Sequence, residues 1–381
     1  MTEQDFIPQS LNTSNLSKGS FAWKTPSNIA LVKYWGKKEH QIPENTSISF
    51  TLDACHTITT LSFKKCHSEL ISESHIDETL KQVQGDDVNF EIYFEGQKKD
   101  DFKPKTVTFF KRIEKYCPYL KDFDFKIESE NSFPHSSGIA SSASGMGAIA
   151  LCVMSIEKEL NPKIRDDYFY KKASFLARLG SGSACRSVKG EIVVWGEHKE
   201  IKDSSNLYGV EFSDAVHSNF KNYQDTILLV DKGEKQVSST LGHDLMHGHP
   251  FAENRFQQAE ENISKMKSIL KSGDLKAFVN LIESEALTLH AMMMTSNPYF
   301  ILMKPNTLKI INKIWEYRAA TNSNICFTLD AGANVHLLFP YNEKEKVKGF
   351  VTKELMQFCE NNQYINDGVG KGAVELIMKK E

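Results

Sequence analysis

Between Phe256 and Leu270 the apolar residues Phe256, Ala259, Ile263, Met266 and Leu270 fall in steps of three and four, which predicts an amphipathic helix. The stretch "DLKAFVNLIESEALTLHAMM" predicts a second helix, and "TLKIINKIWEYRAA" a third, with Pro305 near its start. Around them "DTILLVDKG" reads as a strand, and "ICFTLDAGANVHLLF" as a strand, a glycine turn and a second strand. The first half alternates differently. "NIALVKYWG", "SISFTL", "NFEIYFEG" and "EIVVWGE" read as strands, while "TVTFFKRIEKY" and "YFYKKASFLARL" read as helices. A polar stretch, "HKEIKDSSNLYG", separates the two rhythms and is the predicted domain junction. The pattern predicts an α+β protein of two domains, 1–200 and 201–381, with a cleft between them.

One segment breaks the rhythm. "KCHSELISESHIDETLKQVQGDD", Lys65 to Asp87, is polar, acidic and poorly periodic, and it stands between two strands where a short turn would do. It reads as a surface insertion, 65–87.

Composition narrows the function classes. The 381 residues are 40% hydrophobic and 25% charged, as in ordinary globular proteins. A net charge of −3 gives no support for a nucleic-acid or membrane partner, so any basic site must be local. No run of apolar residues is long enough to cross a membrane. The N-terminus "MTEQDFIPQSLNTSNLSKG" has no apolar core of a signal peptide and reads as a loose arm. Seven scattered cysteines without a CxxC pair suit free thiols in a reducing cytoplasm.

Four stretches carry candidate chemistry. "NSFPHSSGIASSASGMGAIA", Asn131 to Ala150, places small and hydroxyl residues before a run in which Met146, Ile149 and Met154 recur at helical spacing. Ser141 and Ser142 suit an N-cap, and a helix N-terminus offers unpaired N–H groups and partial positive charge to a phosphate. An ordinary Ser/Gly turn capping a core helix has the same composition. "TPSNIALVKYWGKKE" sets Lys33, Tyr34, Trp35 and Lys37 at a strand end, where alternation puts Lys33, Trp35 and Lys37 on one face. Two lysines flanking an indole suggest an anion-receiving cleft, or else lysines snorkelling over an aromatic. "LGSGSACRSVKGEIVVWGE" gathers Ser181, Ser183 and Arg186 among glycines, and Arg186 is able to fork onto a carboxylate or phosphate. Cys185 beside it reads as buried and inert. "TLDAGANVH" puts Asp330 at a strand end, either as turn chemistry or as a group that orients or deprotonates a hydroxyl. His290, in an apolar helix, reads as a satisfied core histidine.

Taken in order, "TPSNIALVKYWGK", "SFPHSSGIASSASG", "GSGSACRS" and "LDAGANVH" resemble the signatures of the diphosphomevalonate decarboxylase family, within the GHMP kinase superfamily. The resemblance runs from about Thr25 to Gly372. It implies a two-domain GHMP kinase-like fold, usually a homodimer, using ATP and Mg²⁺. The implied reaction phosphorylates the tertiary 3-hydroxyl of 5-diphosphomevalonate, after which phosphate and carbon dioxide leave to give isopentenyl diphosphate. By motif position, Gly138, Ser141, Ser142, Ser144 and Gly145 are implied to hold ATP phosphates, with Ser142 also toward the metal. Asn28 and Ser47 are implied to line the nucleotide side. Asp330 is implied to contact the 3-hydroxyl close to Lys33, Arg186 to bind the carboxylate, and Ser181 and Ser183 to bind substrate. Tyr34, Lys37 and Trp35 fall to the diphosphate end, with Lys105 where the family often carries arginine. The alternatives are a phosphomevalonate decarboxylase, a GHMP small-molecule kinase, an inactive binding module and a nucleic-acid module. Retention of Arg186 and Asp330, the intact loops and the acidic balance argue against the last three.

Overall fold

The computed structural model describes residues 1–9, 11–66, 88–134, 139–233 and 239–377. Gly138 and all of the expected insertion except Lys65 and Cys66 lie outside the described residues.

Two sheets organise the chain. The first contains β1 (Lys18–Val32), β2 (Ser47–Lys65), β3 (Phe90–Phe94), β4 (Gln97–Lys98), β5 (Phe123–Asn131), β6 (Ile192–Trp195) and β7 (Val210–Glu211). The second contains β8 (Gln224–Leu228), β9 (Cys326–Leu329), β10 (Val335–Phe339) and β11 (Tyr364–Gly368), in the order β11-β8-β10-β9 and antiparallel throughout. A last strand, β12 (Val374–Leu376), returns to the first sheet and pairs with β1. The polar stretch after β6 loops back into β7, and the chain passes to the second sheet beyond it.

The strands β1 and β2 are long enough to serve both halves. Their pairing shifts register between Pro26 and Asn28 and between Ala30 and Val32. Proline has no N–H to give a ladder, so an irregularity at that point is expected. Beyond the shift, Ile29, Leu31, Phe50 and Leu52 pack in one core with Ile227 of β8 and Ile263 and Met266 of the second half. The two halves thus share buried apolar surface, which favours one fixed relative placement.

Among the described residues the first half carries α1 (Lys103–Ile113), α2 (Ser141–Leu160) and α3 (Asp166–Gly180). Their core holds Phe109, Phe110, Leu151, Val153, Phe175 and Leu176. The second half carries α4 (Ser239–Asp244), α5 (Ala252–Ser272), α6 (Leu275–Met294), α7 (Pro305–Thr321) and α8 (Lys344–Phe350). The predicted stripe of α5 is buried from Ala259 to Leu270, with Phe256 half-buried at its open end. Strand β10 alternates as expected, with Val335 and Leu337 in one cluster and Leu338 in another.

Candidate active site

A cavity of about 780 Å³ opens where the two halves meet. Its wall takes Asn28, Lys33, Tyr34, Trp35 and Lys37 from β1 and the segment after it. Lys105 and Arg112 come from α1, Ser141, Ser142 and Gly145 from α2, Ser181, Ser183 and Arg186 from the turn after α3, and Asp330 from the turn after β9. Among the described residues of that wall, the cations are Lys33, Lys37, Lys105, Arg112 and Arg186 and the anions Asp101 and Asp330. A chain with net charge −3 therefore concentrates positive charge at one place, as an anionic ligand requires.

Lys33 is the residue after β1, and its side chain is 1% exposed. Among the described residues its Nζ has no hydrogen-bond partner, and it stands 3.8 Å from Oδ1 of Asp330. Burial pushes its pKa down to about 8, against the opposing pull of the Asp330 and Glu285 carboxylates. The Asp330 carbonyl accepts from Nε2 of His290 at 3.1 Å and from the Gly332 N–H at 2.7 Å, which fixes the turn. Burial holds His290 down to about 4, so the imidazole is neutral and structural, as its apolar helix suggested.

Arg186 is 3% exposed and lies in a short 3₁₀ turn, Gly182–Ser187. Its Nε donates to Oδ1 of Asn28 at 3.3 Å and its Nη1 to Oγ of Ser47. Asn28 in turn donates from Nδ2 to Ser187 Oγ at 2.8 Å and to the Ser183 carbonyl at 3.2 Å. The guanidinium is held by neutral oxygens alone in these contacts and is aimed into the cavity. Cys185 is buried, and burial raises its thiol to about 12, so it is inert at neutral pH.

The aromatic wall is tightly built. The Tyr34 ring lies 4.6 Å from Trp195 and 4.2 Å from His243, and its hydroxyl has no partner among the described residues. A Cβ at Gly182 would fall 2.8 Å from that hydroxyl, so glycine is what admits the ring. Trp35 packs with Met246, Leu289, Met292 and Met293. Lys37 Nζ stands 3.5 Å from Asp244.

The start of α2 differs from the expected serine cap. Its N-cap is Ala140, in the left-handed region at φ 49° and ψ 39°, whose methyl side chain gives the helix no cap. A non-glycine residue there costs on the order of 1 kcal/mol. The consequence is a first turn whose N–H groups receive no cap from the N-cap side chain, with Ser141 and Ser142 lining the cavity beside it. A Cβ at Gly145 would meet nothing within 4 Å, so the glycine leaves room inside the wall.

Three further expectations need correction. Ser144 is fully buried, bonded to Thr57 at 2.6 Å and donating to the Ser141 carbonyl at 3.2 Å, and so sits behind the wall. Ser47 is also fully buried; its oxygen supports Arg186 and donates to the Trp195 carbonyl at 3.2 Å, away from the start of α2. Alternation does not continue past Val32, because β1 ends there and the chain turns at Gly36, φ 97°. Sequence reasoning also missed Arg112, seven residues after Lys105 and on the same face of α1. It missed Glu285 and Arg255 as well, since a charged residue on a helix carries no outward sign of what it touches.

Comparison with known proteins decides the family. The family model "Diphosphomevalonate decarboxylase-like N-terminal domain" matches residues 25–206, and "Mevalonate 5-diphosphate decarboxylase C-terminal domain" matches residues 226–378. The chain belongs to the diphosphomevalonate decarboxylase family. Family members with curated names include the diphosphomevalonate decarboxylases of Candida albicans, 28% identical over 86% of this chain and 86% of that protein. That of Saccharomyces cerevisiae is also 28% identical, over 86% of this chain and 80% of the other. Among solved structures, mevalonate diphosphate decarboxylase from Enterococcus faecalis superposes with a TM-score of 0.75 at 25% identity, covering 95% of this chain and all of that one (100%). A complex of MDDEF with MVAPP, AMPPCP and magnesium gives 0.76 at 26% identity, with 95% and 100% covered. The two-domain α+β architecture of the decarboxylase family is thus this chain's own.

Proposed function

We propose that this protein is an ATP-dependent diphosphomevalonate decarboxylase acting in the mevalonate route. The observation that carries the reading is the approach of Lys33 to Asp330 within one cavity that also receives Arg186 and the start of α2. An alcohol to be phosphorylated, a carboxylate to be lost and a polyphosphate each have a matching group there.

Ser141, Ser142 and the first-turn N–H groups of α2 are the proposed seat for the ATP phosphates, with room left by Gly145. These hydroxyl and N–H donors fit an ATP–Mg²⁺ pair, and Ser142 is the proposed oxygen toward the ion, which when bound neutralises phosphate charge. Asp330 takes or orients the proton of the 3-hydroxyl as that oxygen attacks the γ-phosphorus and the bond from that phosphorus to ADP breaks, releasing ADP. Lys33 offsets negative charge beside it. The C–O bond to phosphate then breaks, and the pair of the carboxylate C–C bond forms the alkene as carbon dioxide leaves. Arg186, braced by Asn28 and Ser47, holds that carboxylate out of water and aligns the breaking bond. Ser181 and Ser183 lie beside it as substrate donors.

Tyr34, Lys37, Lys105 and Arg112 form the proposed diphosphate end, with Trp35 packed alongside. A bond to a charged group contributes roughly 1.5–3 kcal/mol, so even one extra contact implies about a tenfold preference for the diphosphate over the monophosphate. The test is kcat/KM with 5-diphosphomevalonate against 5-phosphomevalonate. Equal or better use of the monophosphate would make the protein a phosphomevalonate decarboxylase. We further infer a cytoplasmic homodimer, the compartment being supported by the free cysteines, with domain boundaries close to 1–200 and 201–381 apart from β7 and β12, which return to the first sheet.

A further inference from the structure

We infer that Glu285 and Arg255 are positioning residues for Lys33, holding its peptide in place from the second half of the molecule. The inference rests on the proposed role of Lys33. Lys33 lies past the end of β1, where no sheet ladder fixes it. Its N–H donates to Oε2 of Glu285 at 2.8 Å, and its carbonyl accepts from Nη2 of Arg255 at 3.3 Å and from Nδ2 of Asn45 at 2.9 Å. Glu285, on α6, and Arg255, on α5, are joined as a fork, Nη2 to Oε2 at 2.6 Å and Nη1 to Oε1 at 3.1 Å. Asn262 donates to Oε1 at 2.6 Å and completes the carboxylate's bonding.

Both charged residues are almost wholly buried, Glu285 at 0% and Arg255 at 2% exposure. Removing two charges from water is costly, and an apolar pair would join two helices as well. What an apolar pair cannot do is bind both the N–H and the carbonyl of one residue, as Glu285 and Arg255 do at Lys33. The same helix, α6, also carries His290, which anchors the Asp330 carbonyl. A single helix therefore sets the backbone of both members of the 3.8 Å pair. The charge matters too. Asp330 from the turn after β9, Asp225 from β8 and Glu285 from α6 favour the Lys33 ammonium, while Arg186 opposes it; neutral His290 and the cation Arg255 complete the surroundings.

Two variants separate place from charge, read by carbon dioxide release across the pH range with melting temperature measured alongside. In Glu285→Gln the carboxylate charge is lost and Arg255 is left unpaired. Turnover should fall on the order of tenfold, and the alkaline limb of kcat/KM should move down by about one pH unit. In Arg255→Lys the charge stays but one ammonium cannot replace the fork, so kcat should fall severalfold with the limb unmoved. KM for ATP should change little in both. Wild-type kcat and an unmoved limb in Glu285→Gln would overturn the inference and leave the pair as a structural brace. Should Glu285→Gln fail to fold, Arg255→Lys decides alone: a folded protein with wild-type kcat overturns the inference, and a reduced kcat upholds it. Lys33→Met is the control for the underlying reading. Unchanged turnover there would sink the role of Lys33 itself, whereas loss there with silent Glu285 and Arg255 variants would sink only this inference.

Discussion

The Lys33 ammonium and the Asp330 carboxylate stand 3.8 Å apart, one delivered by the end of a strand in the first sheet and the other by a turn in the second. Neither half of the molecule holds this pair alone, and the account of the reaction turns on it.

If Asp330 orients or deprotonates the 3-hydroxyl, Asp330→Ala should lose turnover by on the order of 10²-fold or more while ATP still binds. Single-turnover kinetics with nucleotide titration separates the two. A variant with near wild-type turnover removes Asp330 from the mechanism.

The depressed pKa of Lys33 makes two pH effects run in opposite directions. Its value is about 8 in the folded protein against an ordinary 10.5, so between these the unfolded chain binds the extra proton and stability rises with pH. The cost of charging buried Lys33 is fully present below that window and gone above it. Activity that needs the ammonium falls as pH rises through the folded value of about 8. Lys33→Arg stays charged, so whatever kcat/KM it retains should lack the alkaline limb. An identical limb in that variant assigns the titration to another group.

Ser47 offers a test of what braces Arg186. Ser47→Ala removes an acceptor from a buried guanidinium, so KM for 5-diphosphomevalonate should rise by on the order of tenfold with nucleotide affinity unchanged. Weakened ATP binding with substrate KM intact would return Ser47 to the nucleotide side.

Two glycines in the wall should respond oppositely to the same change. At Gly182 a Cβ meets the Tyr34 hydroxyl at 2.8 Å and the Trp195 ring at 2.9 Å, so Gly182→Ala should cost about 1–3 kcal/mol of stability. At Gly145 the space is open and the backbone helical, so Gly145→Ala should leave stability equal or about 0.5–1 kcal/mol higher while KM for ATP rises. Denaturant titration and nucleotide KM for the two proteins check this. A Gly145→Ala variant with unaltered ATP affinity argues against phosphate binding at the start of α2.

Much of the fold was legible because its signals are local. The steps of three and four from Ala259 to Leu270, Pro305 at the first turn of α7 and the turn between β9 and β10 each declare an element within a few residues. The site was legible through its motifs, which placed Lys33, Arg186 and Asp330 together before any geometry was known. What escaped was long-range or compensatory. Ala140 adopts a conformation its side chain does not favour because the surrounding chain imposes it. Ser47 and Ser144 share a composition with the cavity serines, and only packing decides which hydroxyl faces in. Glu285 and Arg255 meet Lys33 from more than two hundred positions away, as with the separation of 252 between Lys33 and Glu285, and nothing in their local sequence announces it.

The most direct measurement follows ADP and carbon dioxide together when the protein is mixed with ATP, Mg²⁺ and 5-diphosphomevalonate. Equal amounts of both products, each lost in Asp330→Ala, are the predicted result. ADP formed without carbon dioxide would mean a kinase that stops at the phosphorylated intermediate, and neither product would contradict the account outright.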